Sequence, residues 1–134
     1  MKKRMDKKER ERLKTRLMEI MFDHVGRSKR IGMGELYEKL FNEKFNNRIN
    51  DTRPLRILIT ELRKKGIAIC SDASTTAGGY YVASAGSELK DYTRRDKMRA
   101  LKILKRVANM EKTTLPALLG QIQVNLGLDG AENG

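Results

Sequence analysis

Residues 50–83, NDTRPLRILITELRKKGIAICSDASTTAGGYYVA, restrict what this chain can fold into. Asn50, Asp51 and Thr52 all favour a helix N-cap, where a short side-chain oxygen accepts a bond from an orphan backbone N–H. Pro54 is tolerated only in a first helical turn, where its missing N–H costs nothing. Leu55, Leu58, Ile59 and Leu62 recur at i, i+3, i+4 and i+7, which is one apolar helical face. Arg53, Arg56, Thr60, Arg63 and Lys64 fall mostly on the other side. Gly66 follows Lys64 and Lys65 and closes a basic last turn as a C′ glycine. Residues 67–70 are short and apolar, as a strand should be; 71–79 are small and polar; 80–83 read as the returning strand.

The order helix, strand, loop, strand resembles the winged helix-turn-helix family. It is nearest to the DNA-binding domain of the biotin repressor and to the N-terminal domains of WYL-type regulators. The residues that carry the likeness are Leu62, Arg63, Gly66, Ile69, Gly78, Gly79 and Tyr80. The chain also resembles small proteins of bacteriophages and prophages. The resemblance implies a mainly α fold with a small β-hairpin (α+β), a winged helix-turn-helix with a C-terminal helical extension. It further implies a double-stranded DNA-binding protein that inserts helix 50–65 into the major groove. On this reading residues 1–12 are a charged arm and 13–84 the winged-helix domain. Residues 85–126 are the helical extension and 127–134 a disordered tail.

Charge points to the same class of partner. Lys plus Arg number 29 against 17 Asp plus Glu, a net charge of +12. Such an excess suits a polyanion, nucleic acid first and an anionic membrane surface second. No apolar run approaches a membrane span, and the start has no signal-peptide core. Cys70 is the single cysteine, so no intramolecular disulfide forms, and a cytoplasmic, nucleoid-associated setting is expected. One histidine, His24, and one cysteine are too few for a zinc site, and no cofactor is expected. Trp is absent and aromatics are sparse, which argues against a stacking platform for single strands.

The charged run 1–12 reads as a solvated helical start, or more sharply as a basic arm on phosphates. A helix over 13–25 puts Leu13, Leu17, Ile20, Met21 and His24 on one face, and Gly26 ends it. Arg27, Ser28, Lys29 and Arg30 form a basic loop, and Ile31 is a candidate first strand added to the hairpin. A second helix, 33–41, carries Met33, Leu36, Tyr37 and Leu40. The polar segment 42–49, anchored by Phe45 and Ile49, is longer than the turn of a simple helix-turn-helix.

Beyond the hairpin, Ser87 caps a helix over 88–110. Its second half bears Ala100, Ile103, Leu104, Val107 and Ala108, and Arg95, Arg99, Lys102 and Arg106 form a basic stripe. Thr113 or Thr114 caps a last helix, with Pro116 in its first turn and Leu115, Leu118, Leu119, Ile122 and Leu126 at helical spacing. These helices either fold back onto the core or pair across a two-fold axis as a homodimer. Their share of a small chain favours the dimer.

No Walker loop, GxSxG, HExxH or CxxC occurs, so the chain is not read as an enzyme and no small-molecule substrate is evident. Cys70 reads as a packed strand residue, and Asp91 with Arg95 as an i, i+4 surface pair. The candidate base readers are Thr52, Arg53, Arg56 and Thr60. Arginine can grip guanine N7 and O6 in a bidentate contact worth about 1–3 kcal/mol. Arg63, Lys64 and the loop residues Arg27, Lys29 and Arg30 are the phosphate candidates, and Asn50 only holds the helix. The wing has Ser71, Asp72, Ser74, Thr75 and Thr76 but no cation, and Asp72 should repel phosphate, so its share of affinity is expected to be minor. The favoured role is a small transcriptional regulator. The alternatives are a phage replication or DNA-packaging accessory, which would form a ring or higher oligomer, and an adaptor whose winged helix meets protein or RNA.

Overall fold

A computed structural model describes residues 5–47, 51–74 and 77–127. The expectations placed on residues 1–4, on Ile49, Asn50, Thr75 and Thr76, and on the tail past Gly127 lie outside the described residues. Among the described residues the elements run α1 (Lys7–Met21), a 3-10 turn (Arg27–Lys29), α2 (Met33–Phe41), α3 (Arg53–Lys64), β1 (Ile69–Asp72), β2 (Gly79–Val82), α4 (Gly86–Met110) and α5 (Leu115–Asn125). The fold is mainly α with one antiparallel hairpin, compatible with a winged helix. The chain divides into two compact units, Met1–Lys90 and Asp91–Gly134.

The first unit is a three-helix core with the hairpin attached. Leu13, Leu17 and Met21 of α1 meet Leu36, Tyr37 and Leu40 of α2 and Leu55, Leu58, Ile59 and Leu62 of α3, with Ile31 and Ile69 closing the cluster. Each such side chain, fully buried, contributes about 1.5–3 kcal/mol of transfer free energy. Phe45 anchors the long segment after α2, its ring 6.0 Å from that of Tyr37 in an edge-on arrangement.

Helix α1 starts earlier and stops sooner than its apolar pattern suggests. The Asp6 side chain accepts from the Glu9 amide at 2.8 Å, so the charged run from Lys7 onward is helix and not a separate arm. At the other end the His24 amide donates to the Met21 carbonyl, and the chain turns out before Val25. Gly26, at φ 94°, therefore turns the chain toward the hairpin instead of ending the helix: its amide donates to the Val82 carbonyl at 2.7 Å. His24 is a packed loop residue whose Nδ1–H donates to the Lys29 carbonyl at 2.8 Å.

Helix α3 ends as its sequence predicts. Gly66 takes φ 93°, its amide donates to the Arg63 carbonyl, and the Ile67 amide reaches back to the Leu62 carbonyl. That double closure is a Schellman motif. It uses Ile67 in the turn, so β1 begins at Ile69, two residues later than the apolar run implies. The hairpin register pairs Ile69 with Val82, Cys70 with Tyr81, Ser71 with Tyr80 and Asp72 with Gly79. On the far side of β2, Ile31 exchanges two backbone bonds of 2.8 Å with Tyr80, the small extra strand expected at that residue. Gly79 permits this approach, because a Cβ there would collide with the Ile31 carbonyl. Cys70 is buried at the hairpin root, and burial pushes its thiol pKa up.

In the second unit Thr114 caps α5, its hydroxyl oxygen accepting from the Ala117 amide. Ala108 and Leu118 are buried, whereas Leu101, Ile103, Leu119, Val124 and Leu126 are exposed. The expected Asp91–Arg95 pair does not form: both side chains extend into solvent. An exposed i, i+4 pair returns only about 0.2–0.5 kcal/mol, which the entropy of two free side chains offsets. Among the described residues no helix is long and apolar enough to cross a membrane.

Candidate nucleic-acid interface

The geometry of α3 follows from what its buried face leaves over. With Leu55, Leu58, Ile59 and Leu62 turned into the core, Arg53, Arg56, Ile57, Thr60 and Lys64 point outward and border one shallow depression, with Glu61 at its edge. Arg53, Arg56, Thr60 and Lys64 are all exposed. Three of the four base-reading candidates and one of the phosphate candidates thus share a surface. The Thr60 hydroxyl donates to the Arg56 carbonyl at 2.9 Å, which fixes its rotamer along the helix.

Thr52 does not belong to this surface. It is fully buried at the start of α3, so its side chain is a packing group and not a base reader. Arg63, also exposed, is not among the residues that border the depression. Its Nε–H donates to the Ile69 carbonyl at 2.8 Å and ties α3 to the start of β1.

The one carboxylate beside the depression is occupied. Glu61 accepts from Lys14 Nζ at 3.0 Å and lies 3.5 Å from Arg10 Nη1. Lys14 also pairs with Glu11 at 2.7 Å, and its side chain is only 7% exposed. The hydrogen bonds that Lys14 donates to Glu11 and then Glu61 raise its pKa, and Lys14 in turn lowers that of Glu11. A buried lysine thus joins α1 to α3 and spends the negative charge of Glu61 internally.

The basic loop is likewise spent in part inside the protein. Arg27 donates to Asp72 Oδ2 from Nε at 2.9 Å, and its Nη2 lies 2.8 Å from the same oxygen as an ion pair. Arg30 Nε lies 3.8 Å from the same oxygen and donates to the Ala77 carbonyl, while Arg30 Nη1 donates to the Arg27 carbonyl at 2.9 Å. The Ser74 amide and the Arg27 guanidinium hold the Asp72 pKa below its ordinary value. Glu88, at the start of α4, accepts from the Arg27 amide at 3.1 Å and the Ser84 amide at 2.8 Å, and these bonds lower its pKa as well.

Two expectations are therefore corrected. Arg27, Lys29 and Arg30 are not three free cations, because the two arginines share Asp72, which offsets one of their two charges. Asp72 is not a bare repulsive group on the wing, because its side chain is only 10% exposed and is ion-paired. Of the three loop candidates Lys29 alone is exposed with no carboxylate beside it among the described residues. The sequence reading missed Ile57, 42% exposed in the middle of the basic face, and the Lys14–Glu61 pair. Ile57 had a signal: it stands off the i, i+3, i+4, i+7 apolar face. The Lys14–Glu61 pair had none, since its partners are 47 residues apart.

Comparison with protein-family models, curated proteins and solved structures finds no match to this chain.

Proposed function

We propose that this chain is a winged-helix protein that binds double-stranded DNA through α3, acting as a small transcriptional regulator and as a homodimer joined by its C-terminal helices. One observation carries the reading. The outward face of α3 presents Arg53, Arg56 and Lys64 around Thr60 and Ile57, and the carboxylate bordering them is already paired within the protein. An exposed helix of this kind fits the B-DNA major groove, where arginine recognises guanine and an apolar side chain meets the thymine methyl. The net charge of +12 supplies the non-specific attraction that such a contact builds on.

An adaptor that meets protein or RNA is the second reading. The wing root favours it, because Asp72 offsets one of the two charges of Arg27 and Arg30, and the described wing residues carry no cation.

Fluorescence anisotropy on a random-sequence duplex across a salt series decides between them, with an Arg53→Ala/Arg56→Ala variant alongside. Tight, steeply salt-dependent binding that the variant weakens supports insertion of α3. Absence of binding at low salt removes the DNA reading and leaves the adaptor.

A further inference from the structure

We propose a second phosphate-binding surface on α4, the line formed by Arg95, Arg99, Lys102 and Arg106. This inference rests on the duplex-DNA reading and adds to it a contact separate from α3. From residue 92 to residue 110 the helix carries seven cations, Arg94, Arg95, Lys97, Arg99, Lys102, Lys105 and Arg106, against one acid, Asp96. All seven are exposed, and none has an ion pair or hydrogen bond with a described residue. The cations of the first unit are treated differently. Lys14 and Arg10 are drawn to Glu61, Lys65 to Glu11, Lys39 to Glu35, and Arg27 and Arg30 to Asp72.

The spacing of the four gives them direction. Steps of four, three and four residues keep them on one side of the helix, over about 16 Å at 1.5 Å per residue. The opposite side holds Leu104 and buried Ala108, so the stripe and the apolar face do not compete for the same partner. Arg95 with Arg99 and Lys102 with Arg106 are like charges at i, i+4, an arrangement that opposes the helix until an anion is placed against it. Duplex DNA offers about five phosphates per strand over the same 16 Å, at about 3.4 Å per strand charge. A straight row of cations with no ion-pair partner among the described residues suits a phosphate backbone and carries no base readout.

The test is the salt dependence of binding by the full chain to a fluorescent random-sequence duplex, wild type against Arg95→Gln/Arg99→Gln/Lys102→Gln/Arg106→Gln. Glutamine is a good helix former, and circular dichroism checks that the helix content is kept. The slope of log K against log salt should become shallower by about 3.6, which is 0.9 for each of four phosphates. A slope equal to that of the wild type, with the wild type binding DNA, overturns the proposal and leaves the stripe a solvated face. Failure of the wild type to bind any duplex at low salt overturns the DNA reading and this surface with it. Unchanged DNA binding by the variant together with lost binding to vesicles containing anionic lipid assigns the stripe to a membrane surface and overturns it too.

Discussion

Arg27 and Asp72, 45 residues apart in sequence, are joined by a hydrogen bond from Nε to Oδ2 at 2.9 Å and an ion-pair contact from Nη2 to the same oxygen at 2.8 Å. The pair fastens the loop after α1 to the end of β1 and settles the electrostatic character of the wing root. A site that reads as two arginines and a lysine has, once folded, one of its three positive charges offset by Asp72. The same carboxylate accepts from the Ser74 amide and so also shapes the start of the wing turn.

Removing that carboxylate should have two opposite effects. Asp72→Asn frees Arg27 and Arg30, so duplex affinity at low salt should rise and the salt slope steepen by up to about 0.9 per freed cation. The melting temperature should fall, because the hairpin loses its clasp to the loop. Anisotropy titration and thermal denaturation of the same preparation read both. Affinity that stays level while stability drops would place the wing root away from the DNA.

Acid should undo the clasp in a defined direction. Asp72, Glu88 and Glu11 all have lowered pKa values in the folded chain. A depressed carboxylate gives stability that is fully present above its unfolded value, about 4, and is lost as pH falls through the folded value. The melting-temperature gap between wild type and Asp72→Asn should therefore be constant near neutrality and close as pH falls below about 4. A gap that widens on acidification contradicts the assignment.

Folding and binding should separate at the start of α3. Thr52→Ala removes a buried side chain and should cost about 1–2 kcal/mol of stability, with the exposed face intact. Arg53→Ala/Arg56→Ala should do the reverse, shifting stability by no more than about 0.5 kcal/mol per site and lowering duplex affinity. Urea denaturation and anisotropy of both variants form the check.

That contrast marks what was legible in the sequence. The bounds of α3 were readable because Pro54 and Gly66 punctuate a clean apolar period. The second helix was readable for the same kind of local reason, and the Ile31 strand only through the winged-helix resemblance. The first turns of α1 were less so, since a charged run has no apolar period and only Asp6 with Glu9 signals a start. Thr52 looks like a base reader from sequence because a small polar residue at a helix start gives no local sign of burial. The Arg27–Asp72, Lys14–Glu61 and Arg63–Ile69 contacts depend on how elements meet. No window of residues contains the first two, and the last follows from the two-residue shift of β1.

Two glycines should respond oppositely to alanine. Gly79→Ala drives a methyl into the Ile31 carbonyl and should cost roughly 1–3 kcal/mol, loosening the Ile31–Tyr80 bridge. Gly120 lies within α5 with open space around it, so Gly120→Ala should stabilise that helix by roughly 0.5–1 kcal/mol. Urea denaturation gives both signs, and amide exchange at Tyr80 reports the bridge.

The second unit sets the last prediction. Its helix pair buries Ala108 and Leu118 and leaves Leu101, Ile103, Leu119, Val124 and Leu126 exposed. Two helices with so small a core gain little from each other, and exposed leucines at helical spacing on α5 are a surface that a second copy can cover. A two-fold interface of this kind is self-complementary, and a dimer carries two α3 helices as a palindromic site has two halves. Sedimentation at tens of micromolar should show a dimer for the wild type and a monomer for Leu119→Glu/Leu126→Glu. Both positions are already exposed, 41% and 67%, so the glutamates are tolerated in a monomer and intolerable only at an apolar interface. A wild-type monomer, or a variant dimer, would assign these leucines no part in self-association. A dimer lost in the variant should also bind a palindromic duplex less tightly than the wild type does, while binding to a half-site is unchanged.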